Sequence, residues 1–405
     1  MKIRAITLFQ TVSWPFDKNF ITNASHFLKS AKKGLEKSGY EVQSLRLATQ
    51  PFPQIVDTTN LAETQNFVQY LEKQLTNAGI DYISIGPVLA DNPDSDLTPI
   101  QIIPDIIEHT TKVFASVLVS SVLNGINLTA IQETANVIHK IGQNTSDGFG
   151  NLQFAMLANV APRCPFFPAA YQQGDRSSFG FALEGADLAV QVFEQAKTLK
   201  EAGDNLVDTL NKHAVQLRRV VDDLVDEHLL PFAGVDCSLA PFPETQKSIA
   251  QAIENLGVSK FGGYGTLFAT AFLTNCLKRV NVPHVGYKGV MYPVLEDNIL
   301  AQRGIEGAYT IQDLLLYSAV CGIGVDTVPI AGDTSPEQIA SHLLDVATLA
   351  ISLDKPLSVR LLPVPNLKEG DLTSYDFEYF AKSKVFSLKE ATASEIFKHN
   401  SFVKF

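Results

Sequence analysis

GVDCSLAPFP, residues 234–243, and GVDTVPIAGD, residues 324–333, decide how this chain is read. Each is a short apolar run with a carboxylate as its third residue, Asp236 in the first and Asp326 in the second. Two further runs share the pattern: GVMYPV (289–294) leads into Glu296 and Asp297, and FGFALEG (179–185) ends at Glu184. Apolar runs of this length, alternating with helix-patterned segments, read as buried parallel strands. Ligands of α/β sheets and α/β barrels gather at the carboxyl ends of such strands. Several carboxylates brought to one rim point to a metal site or to acid–base chemistry.

Outward from these runs the alternation continues. IRAITLF (3–9) opens the chain as a strand, and residues 19–38 follow as an amphipathic helix ended by Gly39. DYISIGPV (81–88), KVFASVLVSS (112–121), QFAMLANV (153–160) and LSVRLLPV (357–364) read as further strands, and residues 285–294 as another. Helices are predicted over 61–78, 128–141 with Asn127 or Thr129 as cap, 186–201, 205–230, 243–256 and 336–351. Thr334 or Ser335 caps the last of these, with Pro336 at its first position. The count comes to about ten strands joined through helices or long loops, with no Asn-Gly hairpin between adjacent runs. Residues 1–365 read as one domain, and 366–405 as an appended arm with a short helix at 388–398.

Composition narrows the function classes. With 32 Lys and Arg against 43 Asp and Glu, the formal charge of −11 argues against non-specific nucleic-acid binding. The N-terminal apolar stretch is short and broken by Arg4, so it does not read as a signal peptide. No uncharged apolar stretch reaches the roughly 18 to 20 residues that span a bilayer. Four scattered cysteines without a CxxC pair fit reduced thiols and a cytoplasmic location. The expected partners are a small-molecule ligand and further copies of the chain.

An ordered set of segments then becomes familiar: NGINLTAIQETANVI, GVDCSLAPFPETQKSIAQAIENLG, FGGYGT, YPVLEDNILAQRG and AVCGIGVDTVPIAGDTSPEQIASHLLDVATLA. In this order they resemble the family called domain of unknown function 711, over about residues 3–364. The resemblance implies an α/β barrel of the pyruvate formate-lyase-like type, with two parallel five-stranded halves and helices outside. It implies no established activity. The chain departs from the radical enzymes of that fold, since no glycine loop follows the strand at 357–364. Around PRCPFFPAAYQQG (162–174) it is also more aromatic than the commoner form of the family.

Strand alternation places Asp236 and Ser238 on one face, and an outward face packed by helices is a costly place for a carboxylate. Asp236, Glu296, Glu184 and Tyr171 are therefore the candidate catalytic residues. Asp236, Glu296, Asp297 and Asp326 are the candidate metal ligands, hard oxygen donors that suit Mg²⁺, Mn²⁺ or Ca²⁺. Gly262, Gly263, Gly265 and Thr266 precede a helix whose free N–H groups suit an anion. Ser238 and Arg163 complete the binding set, with Arg163, Tyr171 and Arg176 in a lid over the ligand. No HxH, HExxH or GxSxG spacing occurs. The expectation is an enzyme acting on a small anionic metabolite at a carboxylate-lined rim by hydrolysis or lyase chemistry. The alternative is a binding or regulatory protein that uses the same cavity without turnover.

Overall fold

Period-two alternation along the apolar runs gives each strand two unlike faces. On β1 (Lys2–Phe9), Ile3, Ile6 and Leu8 join the main core beneath the helices, while Ala5 and Phe9 fall in separate clusters on the other side. The computed structural model describes residues 1–17 and 19–404, so Phe405, the last residue of the expected arm, lies outside the described residues. The remaining strands are β2 (Leu45–Ala48), β3 (Tyr82–Leu89), β4 (Val113–Ser121), β5 (Gly125–Asn127), β6 (Phe154–Ala158), β7 (Ser178–Glu184), β8 (Phe232–Ala240), β9 (Gly324–Ala331), β10 (Leu357–Val364) and β11 (Phe402–Val403).

These strands form one 11-stranded sheet whose main path runs β8-β7-β1-β2-β3-β4-β6-β10-β9. β1, β2, β3, β4 and β6 make a parallel block. Antiparallel joints connect it to β7 on one side and to β10 on the other. β7 pairs parallel with β8, and β9 parallel with β10. The ladder is an open path, not the closed ring of about ten strands expected from the sequence. Between its ends lies the segment from His284 to Pro293, which meets β8 and β9 through single parallel bridges, Val235 with His284 and Pro293 with Asp326.

A full strand over 285–294 was the expectation, and local geometry prevents it. Gly286 and Lys288 take positive φ (70° and 58°). Gly289 also crosses Gly322 so closely that a Cβ on it would stand 2.5 Å from the Gly322 Cα. The expected helix over 186–201 divides into Ala186–Gln195 and the first turn of Leu199–His228, whose Thr198 cap accepts from Glu201 N. Residues 122–124 form the turn of a hairpin that the sequence reading missed, since β4 turns back antiparallel into β5 with Ser121 opposite Gly125. Of the alternatives read for two helix caps, Asn127 rather than Thr129 and Ser335 rather than Thr334 are formed. Residues 388–398 are helical only from Ser394, and that helix ends at His399.

The arm is woven into the sheet. Phe402 and Val403 pair with β5, Phe386 bridges Ile330 of β9, and Ala381 N donates to Leu295 O at 2.6 Å.

Candidate functional site

Three arginines stand inside strands that are otherwise apolar. Arg46 lies between Leu45 and Leu47, and Arg360 between Val359 and Leu361; all four neighbours belong to the helix-side core. Alternation therefore turns both guanidiniums to the opposite face. On β1 the register slips between Ile3 and Ala5, and Arg4, the residue between them, reaches the same space. This face encloses a cavity of about 270 Å³. Its wall takes side chains from the strands, from the 163–171 loop through Phe166, Phe167 and Pro168, from Tyr287 and Met291, and from the arm through Phe377 and Tyr379.

Two of the arginines are held by carboxylates. Arg4 Nη1 donates to Glu184 Oε2 at 3.2 Å and Nη2 to Glu296 Oε2 at 2.5 Å. Arg360 Nη2 donates to Glu296 Oε1 at 3.1 Å and to Asp326 Oδ2 at 2.9 Å. Glu296 thus gives one oxygen to each guanidinium and fixes the spacing between β1 and β10. The third arginine differs. Among the described residues Arg46 has no carboxylate partner, and its one side-chain hydrogen bond runs from Nε to Ser44 Oγ at 2.9 Å. Its guanidinium carbon stands 5.1 Å from the Phe167 ring centroid and 5.6 Å from that of Tyr82. Burial first, then the neighbouring Arg4, brings the Arg46 pKa down to about 10. A buried guanidinium is normally paired, so this one leaves its Nη donors without a carboxylate at the cavity wall.

The structure distributes the predicted site residues unevenly. Glu296 and Asp326 line the cavity. Glu184 lies behind Arg4, its pKa raised by burial against the pull of Arg4. Asp236 is fully buried away from the cavity wall. It accepts from Ser238 N (3.0 Å), Ser238 Oγ (2.6 Å), Tyr287 N (2.7 Å) and Lys288 N (3.3 Å). Ser238 Oγ in turn accepts from Gly289 N at 3.1 Å. This pair anchors the 284–293 segment to β8. Asp297 caps two helices at once: it accepts from Leu300 N at 3.0 Å, from Ser248 Oγ at 2.6 Å and from Ile249 N at 2.7 Å. The four expected metal ligands therefore do not converge. Among the described residues no group of three His, Cys, Asp or Glu side chains gathers to hold an ion.

Tyr171 is buried, with its hydroxyl donated to Val160 O at 3.0 Å and its pKa raised by that burial. Arg163 points to Gln173 O at 3.5 Å, outside the cavity wall. The residues of this loop that line the cavity are instead Phe166, Phe167 and Pro168. The Gly262–Thr266 turn is also elsewhere, and its donors are used locally: Gly262 N on Thr266 Oγ1 at 3.1 Å, Gly263 N on Lys260 O at 3.0 Å. Gly262 has φ 96°, and a Cβ there would meet Ala308 O at 2.3 Å. The glycine serves a close backbone approach.

Arg4, Arg46 and Arg360 were missed. The signal was present as a lone cation inside each of the apolar runs IRAITLF, LRLA and LSVRLL.

The profile of a family described as Uncharacterised ACR (DUF711) matches residues 1–379. The chain belongs to the DUF711 family. Among its relatives is a UPF0210 protein of Clostridium botulinum (strain Alaska E43 / Type E3), 28% identical over 367 residues, covering 87% of this chain and 81% of the relative. A UPF0210 protein of Pyrobaculum aerophilum is 29% identical over 367 residues, covering 85% and 79%. One from Clostridium perfringens (strain 13 / Type A) is 26% identical over 373 residues, covering 89% and 82%. The match reaches past the last core strand to residue 379, so it takes in the arm residues Phe377 and Tyr379 at the cavity. Among the described residues of this DUF711 chain, no helix is long and apolar enough to cross a membrane.

Proposed function

We propose that this DUF711 chain binds a small anionic metabolite in the cavity between β1, β2, β10 and the arm. The carrying observation is Arg46, a buried guanidinium on the cavity wall with no carboxylate partner among the described residues. Of the two readings open at the sequence level, the binding reading gains support. The metal-assisted one needs free oxygen ligands, and the two carboxylates on the wall that sequence reading proposed, Glu296 and Asp326, are each engaged by arginine. Those ion pairs fix the shape of the site, and Arg46 supplies the attraction. The parallel bridges of the 284–293 segment to both sheet edges also support a barrel-like enclosure around the ligand.

The test is equilibrium binding of small carboxylates and phosphates to the wild type and to Arg46→Met. A charge-assisted hydrogen bond contributes roughly 1.5–3 kcal/mol, so the variant should bind about tenfold to a hundredfold more weakly. Equal affinity in a folded variant sinks the assignment. Mass-spectrometric search for a product over long incubation then separates binding from turnover.

A further inference from the structure

We infer that the ligand is a monoanionic carboxylate carried on an apolar, ring-sized body. This rests on the reading of Arg46 as the anion anchor. The first argument is charge. Arg4 and Arg360 are hydrogen-bonded to Glu184, Glu296 and Asp326, which leaves Arg46, among the described residues that line the cavity, as the one guanidinium without a hydrogen-bonded carboxylate and leaves no excess of positive charge. Glu296 and Asp326 themselves face the cavity, and Asp81 stands at its rim. A second negative charge on the ligand would meet these carboxylates with no free guanidinium to answer it.

The second argument is shape. Ser44 occupies Nε, so Nη1 and Nη2 remain to donate side by side, the spacing that matches the two oxygens of a planar carboxylate. The third is the wall. Phe114, Phe149, Phe166, Met291, Ile323 and Phe377 offer apolar surface, and about 270 Å³ lies at the small end of ligand pockets.

Isothermal titration of the full chain with phenylacetate and with phenyl phosphate separates the possibilities, since both probes carry one ring. At pH 7.5 phenylacetate should bind at least tenfold more tightly than the phosphate, which is mostly dianionic there. At pH 5 the phosphate becomes monoanionic and should close much of that gap. Arg46→Met should weaken phenylacetate binding by about tenfold to a hundredfold. Arg46→Lys, which keeps the charge without the fork, should weaken it at least fivefold and covers the case in which the Met variant does not fold. Phosphate binding as tight as carboxylate at pH 7.5, still lost with Arg46, overturns the carboxylate class and leaves the anchor standing. Binding of neither probe at millimolar concentration, or binding indifferent to Arg46, overturns both.

Discussion

Asp236 shows how a residue can look catalytic in sequence and be architectural in space. It sits in a buried strand facing away from the helices, as alternation requires, yet four donors from the chain fill its acceptor sites. Asp236→Asn turns an N–H toward groups that themselves donate, so unfolding free energy should fall by about 1–3 kcal/mol in a denaturant titration. An unchanged midpoint would contradict the anchoring role. His342, on the buried side of the helix Pro336–Ser352, gives the residue scale its pH dependence. Burial lowers its pKa to about 4, and Nε2 has no hydrogen-bond partner. A depressed folded pKa contributes stability that is fully present above the unfolded value of 6.5 and is lost as pH falls toward 4. At about 1.36 kcal/mol per pH unit the loss approaches about 3 kcal/mol. Glu184, Asp236 and Asp297, raised by burial, act with the opposite sign: their share is present at low pH and declines as pH rises through their raised pKa values. The comparison of wild type with His342→Leu isolates the histidine. The variant's stability should fall less steeply between pH 6.5 and 4, and parallel curves would refute the assignment.

At the scale of elements, the carboxylate at Asp297 ties two helices together. It serves the N-terminus of Asn298–Ile305 and, through Ser248 and Ile249, that of Ile249–Asn255. Both helices are short and depend on such caps for their unmatched N–H groups. Asp297→Ala removes the cap of Asn298–Ile305 and the acceptor of Ile249 N and Ser248 Oγ, though Ser248 still accepts from Gln251 N, and a loss of about 2–4 kcal/mol is expected by thermal unfolding. A loss below about 1 kcal/mol, the size of one ordinary cap, would mean that only one helix depends on it. Element existence was legible here from periodicity, and the caps at Asn127 and Ser335 from residue type. The 284–293 segment was not legible as irregular. Its apolar pattern satisfies a strand, and only the crossing of Gly289 over Gly322 and the positive φ at Gly286 and Lys288 break the ladder. Such a crossing involves residues more than thirty positions apart, which no local window reports.

At the scale of the whole molecule, the arm changes the meaning of the cavity. The Tyr379 ring lies 5.7 Å from the Arg4 guanidinium carbon, and Phe377 packs against Phe149 with centroids 5.2 Å apart. Phe377→Ala should weaken ligand binding by about threefold to thirtyfold through lost apolar contact, while the unfolding midpoint moves little because the residue is half-buried at a wall. Undiminished affinity would detach the arm from the site. Sequence alone determined the alternating α/β plan, most of the strands and helices in their order, and the family. These follow from local periodicity and from residue chemistry that needs no partner to be recognised. Asp326, by contrast, read at a strand's carboxyl end, lies near the amino end of β9, and Glu296 lies in a 3-10 turn. The tertiary structure alone decided that Arg4 and Arg360 engage those carboxylates, that Arg46 is left without one, and that Asp236 and Asp297 are consumed by backbone donors. A carboxylate in sequence is an unassigned charge. Whether it is spent on a guanidinium, on a helix end or on a ligand depends on which distant strands the fold brings within about 3 Å, the reach of a hydrogen bond.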